Sequence, residues 1–254
     1  MTMATVKFRL DMVKSRTHLV IPDCQVRPGV DISHMGWIGN YIAEKRPNVI
    51  VCLGDFADMA SLNGYGVGKA SAEGKRYVDD LASVRTAMDK LTKPWRKRYS
   101  PKQVMTLGNH EDRITREAEA NPKFVGALSV SDLDYESFGW DQYQFLRVVE
   151  IDRVSYSHYF TSGVMGRPVS SAAALLRTRH ASSVMGHVQM LDLAIHPKTQ
   201  HIGLFAGLCT LHNENYLGPQ GNDTKRGIWM LHEVHDGTFD PMFVSLGFLK
   251  RRYS

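Results

Sequence analysis

Five short polar clusters carry the side chains best suited to chemistry: Asp23-Cys24-Gln25, Gly54-Asp55-Phe56-Ala57-Asp58, Gly108-Asn109-His110-Glu111, Ser157-His158 and Gly186-His187-Val188-Gln189. Carboxylate, amide oxygen and imidazole together are a ligand set for divalent zinc, manganese or iron that needs no thiolate. Each cluster alone is weak evidence. Gly-Asp and Gly-Asn pairs are common in turns, and a single histidine is more often structural than a ligand. The ordered set of five, drawn from distant parts of the chain, is the stronger signal.

Such residues can act together only if the fold carries them to one place. The first three clusters follow short apolar runs at 18–22, 48–53 and 103–107, each closed by Pro, Gly or Asp, which read as buried strands. Helices are expected between them. Residues 32–46 place Met35, Ile38 and Ile42 on one face, with Asp31 or Ser33 as cap and Pro47 as stop; residues 75–93 place Tyr77, Leu81, Val84, Met88 and Leu91 on one face and end at Pro94. A glycine-rich loop at 61–74 separates the GDxxD cluster from the second helix. The later half reads as strands at 143–151, 153–160, 182–186, 190–195, 201–206, 228–234 and 242–248, with a helix at 170–180. Ligands of α/β sheets bind beyond the carboxyl ends of the strands, where three of the clusters fall. The expected architecture is α/β, one domain over 1–254 with two packed sheets and helices outside, a lead-in at 1–16 and a basic tail at 249–254.

Composition narrows the class. In 254 residues, 43% apolar and 22% charged residues fit a soluble globular domain able to bury a full core. Three widely spaced cysteines, Cys24, Cys52 and Cys209, argue against a disulfide framework or a thiolate zinc site and for a reducing, cytoplasmic setting. No apolar run suits a membrane span or a secretory signal, so no membrane partner is expected. The net charge of +5 suits a phosphate-bearing partner without requiring one.

The five clusters, in this order, resemble the calcineurin-like metallophosphoesterases, whose pattern is DxH, GDxxD, GNHE, a later His and GHxH. The resemblance spans about residues 17–190. It implies a four-layer αββα sandwich of two mixed sheets and a two-metal site. Asp55 would bridge both ions; Asn109, His158 and His187 would complete one site, and Asp23 with positions 25 and 189 the other. Here the chain departs from the pattern, with Gln25 and Gln189 in place of two histidines. A neutral amide oxygen is a harder and weaker ligand than imidazole, which shifts preference from zinc towards manganese, magnesium or calcium. The expectation is therefore two divalent ions, foremost Mn²⁺, with Mg²⁺, Zn²⁺, Fe²⁺, Co²⁺ or Ni²⁺ as alternatives and the Gln25/Gln189 site the weaker. The implied reaction is phosphate-ester hydrolysis by a metal-bound hydroxide, with His110 contacting the phosphate or protonating the leaving oxygen and Asp58 orienting it. The basic balance favours a nucleotide or nucleic-acid phosphodiester. A phosphomonoesterase or protein phosphatase is the first alternative, and a non-catalytic metal-binding scaffold the second.

Other motif-like features carry less. Gly64-Tyr65-Gly66-Val67-Gly68-Lys69 lacks the first glycine and the final Ser or Thr of a P-loop, and reads better as a loop at the site's rim. His232-Glu233-Val234-His235 is one residue short of HExxH and lies in a strand-like run. His212 can line the site from a late loop without being required there. Arg113 reads equally as a phosphate clamp or as a solvated helix residue beside Glu117. The basic residues around Trp95 and Tyr99, and Lys250-Arg251-Arg252, read as solvated surface before nucleic-acid contacts.

Overall fold

A computed structural model describes residues 15–66, 68–214 and 218–254. Most of the 1–16 lead-in lies outside these residues. The elements, in chain order, are β1 (Arg16–Ile21), α1 (Ser33–Lys45), β2 (Val49–Cys52), α2 (Tyr77–Thr92), β3 (Lys102–Thr106), α3 (Asp112–Ala120), β4 (Asp141–Tyr143), β5 (Val149–Ile151), β6 (Val154–Ser157), β7 (Thr161–Ser162), β8 (Arg167–Pro168), α4 (Ala172–Arg179), β9 (Ser183–Met185), β10 (Leu191–Ile195), β11 (Ile202–Ala206), α5 (Gly218–Asn222), β12 (Gly227–His235), β13 (Thr238–Ser245) and α6 (Leu246–Tyr253).

Two mixed sheets result, with orders β13-β12-β1-β2-β3-β4 and β10-β11-β9-β6-β5. In the first, β1 to β4 run parallel, β12 is antiparallel to β1 and β13 antiparallel to β12; in the second, β6, β9 and β11 run parallel. Side-chain alternation sets the layers. Leu19, Ile21, Ile50 and Cys52 face a core shared with Met35, Ile38, Val84 and Leu91 of α1 and α2. Val20, Val49 and Val51 point the other way, into a core shared with Val154, Val184 and Leu204 of the second sheet. Met185 and Phe205 pack outward on Ala172 and Leu175 of α4. The order is thus helices, sheet, sheet, helix, the αββα sandwich expected.

Three expectations need correction. The run 143–151 is not one strand: β4 closes the first sheet and β5 opens the second, so the chain must cross between layers, turning through Leu146 at φ 64°. The strand expected at 242–248 is β13, which ends at Ser245, whose hydroxyl caps α6 by accepting from Phe248 N–H. The basic tail of 249–254 is therefore mostly the last turn of α6, anchored by buried Leu249 and by Tyr253 donating to Glu44 at 2.8 Å. Trp95 and Tyr99 are tied inward, Trp95 to Leu91 O at 2.9 Å and Tyr99 to Pro47 O, which leaves the neighbouring Lys and Arg residues as surface.

Candidate metal centre

Every cluster singled out in the sequence sits just past the carboxyl end of a strand in the parallel part of a sheet. Asp23 follows β1, Asp55 follows β2, Asn109 follows β3, His158 follows β6 and His187 follows β9. The first three belong to one sheet and the last two to the other. The centre therefore spans the edge where the sheets meet.

Its heart is the His158 imidazole. Nε2 lies 2.9 Å from Asn109 Oδ1, 3.2 Å from His187 Nδ1 and 3.4 Å from Asp55 Oδ2. Nδ1 lies 2.8 Å from Leu53 O, so it carries the hydrogen it donates there. In the neutral ring the Nε2 lone pair then faces the cluster, the arrangement a metal-ligating histidine needs. One donor atom from each of Asp55, His158 and His187 lies within 4.8 Å of the others. Burial alone would lower the His158 pKa, but the Asp55 carboxylate and its hydrogen bond raise it to about 9. Burial likewise opposes ionisation of Asp55, yet His110 and His158 hold its pKa below the usual range. Burial and the neighbouring His158 charge lower His187 to about 4. Four ligand-type atoms, Asn109 Oδ1, Asp55 Oδ2, His187 Nδ1 and His158 Nε2, thus converge on one place.

The second set is more deeply enclosed. Asp23 and Gln25 are completely buried. Asp23 Oδ1 accepts from His187 N–H at 3.0 Å. Asp23 Oδ2 and both amide atoms of Gln25 have no hydrogen-bond partner among the described residues. A buried carboxylate oxygen and a buried amide oxygen left without donors are costly, and a bound cation satisfies both. Burial first, then the charge of Asp55, raises the Asp23 pKa to about 7; a cation nearby favours its ionised form. Gln189 lines the same cavity as Asp55 and His187. Among the described residues, Asp55, His158 and His187 are the group whose donor atoms lie close enough together to hold a metal ion.

Backbone strain marks the same positions. Gln25, Asp55, His187 and Gln189 all adopt left-handed φ, at 47°, 47°, 65° and 60°. Such conformations cost L-residues roughly 1 kcal/mol or more each and persist where surroundings enforce them. The glycines of the clusters allow the close packing. A Cβ on Gly108 would lie 2.1 Å from Asp55 Oδ1, and one on Gly186 would lie 2.4 Å from Asp23 Oδ1.

His110 stands beside this group. Its backbone N–H donates to Asp55 Oδ1 at 2.9 Å, Nδ1 lies 3.0 Å from Asp58 Oδ1, and Nε2 lies 3.7 Å from Asp55 Oδ2. Burial would lower its pKa, but the Asp55 charge and the Asp58 hydrogen bond raise it. Burial opposes ionisation of Asp58 too, and the His110 hydrogen bond with the charges of His110, Arg27 and Arg113 brings it to about 2. Arg113 is not a solvated helix residue: it donates to Asp58 O at 2.7 Å and lies 3.1 Å from His110 Nε2, so it braces the His110–Asp58 pair.

Three contributors were not anticipated. Glu111, within the GNHE cluster but given no role, is fully buried. It accepts from Asp55 N at 2.9 Å, Gly108 N at 2.8 Å, Ala57 N at 2.9 Å and Tyr135 OH at 3.2 Å, pinning two site loops together. Arg27 bridges Asp58 at 2.8 Å and Glu214 at 2.6 Å. His212, placed as a possible liner of the site, instead bonds Glu214 at 2.7 Å. Only the acidic end of GNHE signalled any of this in the sequence. The expected strand setting of His232 to His235 holds, in β12.

Asp55, Asn109, His110 and His187 open onto a cavity of about 570 Å³. No protein-family model matches the chain, and no curated protein matches it significantly. Among solved structures, the chain is similar to a Vps29 from Entamoeba histolytica complexed with Zn²⁺, at 14% identity and TM-score 0.42, covering 91% of this chain and 99% of that one. It is also similar to a conserved uncharacterized protein, a predicted phosphoesterase, from Streptococcus pneumoniae, at 9% identity and TM-score 0.37, covering 91% and 99%. Among the described residues no helix is long and apolar enough to cross a membrane.

Proposed function

We propose that the chain is a metal-dependent phosphoesterase acting on a phosphodiester of nucleotide or nucleic-acid type. The observation that carries this reading is the convergence of Asp55, Asn109 and His187 on His158 Nε2, beside buried Asp23 and Gln25 atoms that lack donors. Asn109, His158 and His187 would hold one divalent ion with Asp55, and Asp23, Gln25 and Gln189 the other. When bound, two such ions supply charge neutralisation for phosphate oxygens and activate a water for in-line attack. Amide oxygens in the second set favour Mn²⁺ over Zn²⁺.

The chain's own residues do the rest. Asp58 accepts the Nδ1 hydrogen of His110 and fixes the ring, while Arg113 and Arg27 hold Asp58 in place. His110 Nε2, which faces the Arg113 guanidinium at the cavity, would contact the phosphate or pass a proton to the departing ester oxygen. Buried, unpaired cysteines fit a cytoplasmic setting.

The test is hydrolysis of bis(p-nitrophenyl) phosphate and p-nitrophenyl phosphate with Mn²⁺, Mg²⁺, Co²⁺ or Zn²⁺, alongside metal counting. Diester hydrolysis with Mn²⁺ is the expected result; preference for the monoester moves the reading to a phosphomonoesterase. No hydrolysis of either ester with any ion overturns it. The paired glutamines support a second reading, a scaffold that retains metal without catalysis, and metal retention with no turnover selects it.

A further inference from the structure

The Gly-rich loop that the P-loop comparison set aside holds a side chain the proposed reaction does not use. Tyr65 is 87% exposed, the highest value of any aromatic residue among the described residues. No other ring or cation stacks on it among those residues. Its backbone is nevertheless fixed: Tyr65 N–H donates to Asn63 Oδ1 at 3.1 Å, and Gly66 N–H donates to Asn63 O at 2.9 Å, closing a tight 3₁₀ turn over Gly64–Gly66. The turn presents the ring outward from an anchored base.

The place of presentation is specific. Tyr65, Asn63 and Arg113 line the cavity that holds Asp55, His110 and His187. The same three residues line a second cavity of about 430 Å³, which continues along α3 past Arg116 and Glu117. Tyr65 therefore stands on the shared wall between the candidate metal centre and an adjoining groove. Arg116 donates to Asn109 O at 2.6 Å and pairs with Asp112 at 3.0 Å, which leaves its guanidinium held at the groove and 57% exposed. An exposed, anchored aromatic face with two arginines beside it suits a planar ring attached to an anion. Stacking on an aromatic side chain tolerates any base, because each presents a π-face.

We infer that Tyr65 is the stacking platform of a subsite that takes the planar ring of one ester group, a nucleobase or an aryl group, while the phosphate lies at Asp55 and His110. The inference rests on the phosphoesterase reading for the place of the phosphate. It makes Tyr65 a specificity residue, and it assigns the adjoining groove to the organic part of the substrate.

The experiment compares equilibrium binding of adenosine monophosphate and ribose phosphate, which differ only in the base. It uses Mn²⁺-supplemented full-length protein carrying His110→Asn, so that neither probe is turned over during the titration. The readout is the ratio of the two dissociation constants. With Tyr65 present, adenosine monophosphate is expected to bind about tenfold tighter or more. Tyr65→Ala brings the ratio to within about twofold of one, and Tyr65→Phe keeps it. Tyr65 is a surface residue, so these variants leave the core untouched. A ratio near one with Tyr65 in place, or one that Tyr65→Ala does not move, overturns the subsite. Hydrolysis is scored separately on the parent protein. Ester hydrolysis without a base preference sinks the subsite alone, and a Tyr65-dependent preference without hydrolysis of any ester sinks the esterase reading alone.

Discussion

The Glu111 carboxylate takes a hydrogen bond from the Asp55 backbone N–H at 2.9 Å. The residue proposed to bridge the ions is thus held, through its backbone, by another buried acid. The same carboxylate accepts from Ala57, Gly108 and Tyr135, so Asp55 keeps its left-handed backbone because its loop is fastened to the loop after β3.

Glu111→Ala leaves three buried N–H groups without an acceptor. It should destabilise the protein by about 3 kcal/mol or more and lower bound Mn²⁺, even though Glu111 is not a proposed ligand. Denaturant unfolding and metal analysis on the same preparation check this. Full metal content at unchanged stability would show the clasp to be dispensable.

His110→Asn should lower turnover of bis(p-nitrophenyl) phosphate by about 10²- to 10⁴-fold with little change in bound metal. Loss of metal in proportion to activity would instead make His110 a ligand or a support for one.

Gln25→His restores imidazole at a position where the buried amide has no partner among the described residues. Zinc retention after dialysis should rise by about tenfold or more in affinity, read by competition with a chelating dye. Unchanged zinc retention would mean that position 25 does not face an ion.

Gly186→Ala places a methyl group 2.4 Å from Asp23 Oδ1. Either the loop after β9 or the Asp23 side chain must shift, at a cost of about 2 kcal/mol. The expected outcome is a lowered midpoint of unfolding together with weakened metal binding; Gly36→Ala, inside α1 with open space around its Cβ, serves as the control and should leave metal binding unchanged while raising the midpoint, since alanine is the better helix former.

His34 supplies the pH prediction. It is buried in α1, with Nε2 bonded to Cys209 O at 3.0 Å, and burial lowers its pKa from 6.5 to about 4. The unfolded chain therefore binds this proton more readily than the folded one. The stability His34 contributes is present above pH 6.5 and is lost as pH falls towards 4. His34→Leu removes that proton uptake. Relative to the parent, its stability should improve by about 2 kcal/mol between pH 7.5 and pH 4.5, measured by urea unfolding at each pH. A constant difference between the two proteins across that range would contradict the assignment.

Much of this centre was legible in the sequence because each part leaves a local trace. A buried β-branched run followed by Gly-Asp, Gly-Asn or Gly-His marks a strand end where backbone must pass close to a carboxylate, and Gly108 and Gly186 are needed there for that reason. Pro47 and Pro94 marked where α1 and α2 must stop, and helical spacing gave their buried faces. The tie from Arg27 to Glu214 joins residues 187 positions apart, and nothing nearby in the chain anticipates either partner. The same holds for the crossing at 144–148: apolar residues continue through it, so periodicity reads one strand where packing makes two in different sheets. The last turns of the chain misled in the opposite way, since a run of Lys and Arg hides the buried Leu249 that, with Leu246, docks α6.

The candidate ligands divide by sheet, with Asp23, Asp55 and Asn109 on one and His158 and His187 on the other. A cation coordinated by both groups would then be a staple across the sandwich, tying chain segments from 49 to 164 residues apart. Neither half of the chain can build the centre alone, so ion affinity becomes a gauge of how well the two sheets are docked. It follows that added Mn²⁺ should act on the cooperativity of the whole fold and not on one loop: a chelated sample that still melts in a single transition, only earlier, is what a staple of this kind produces.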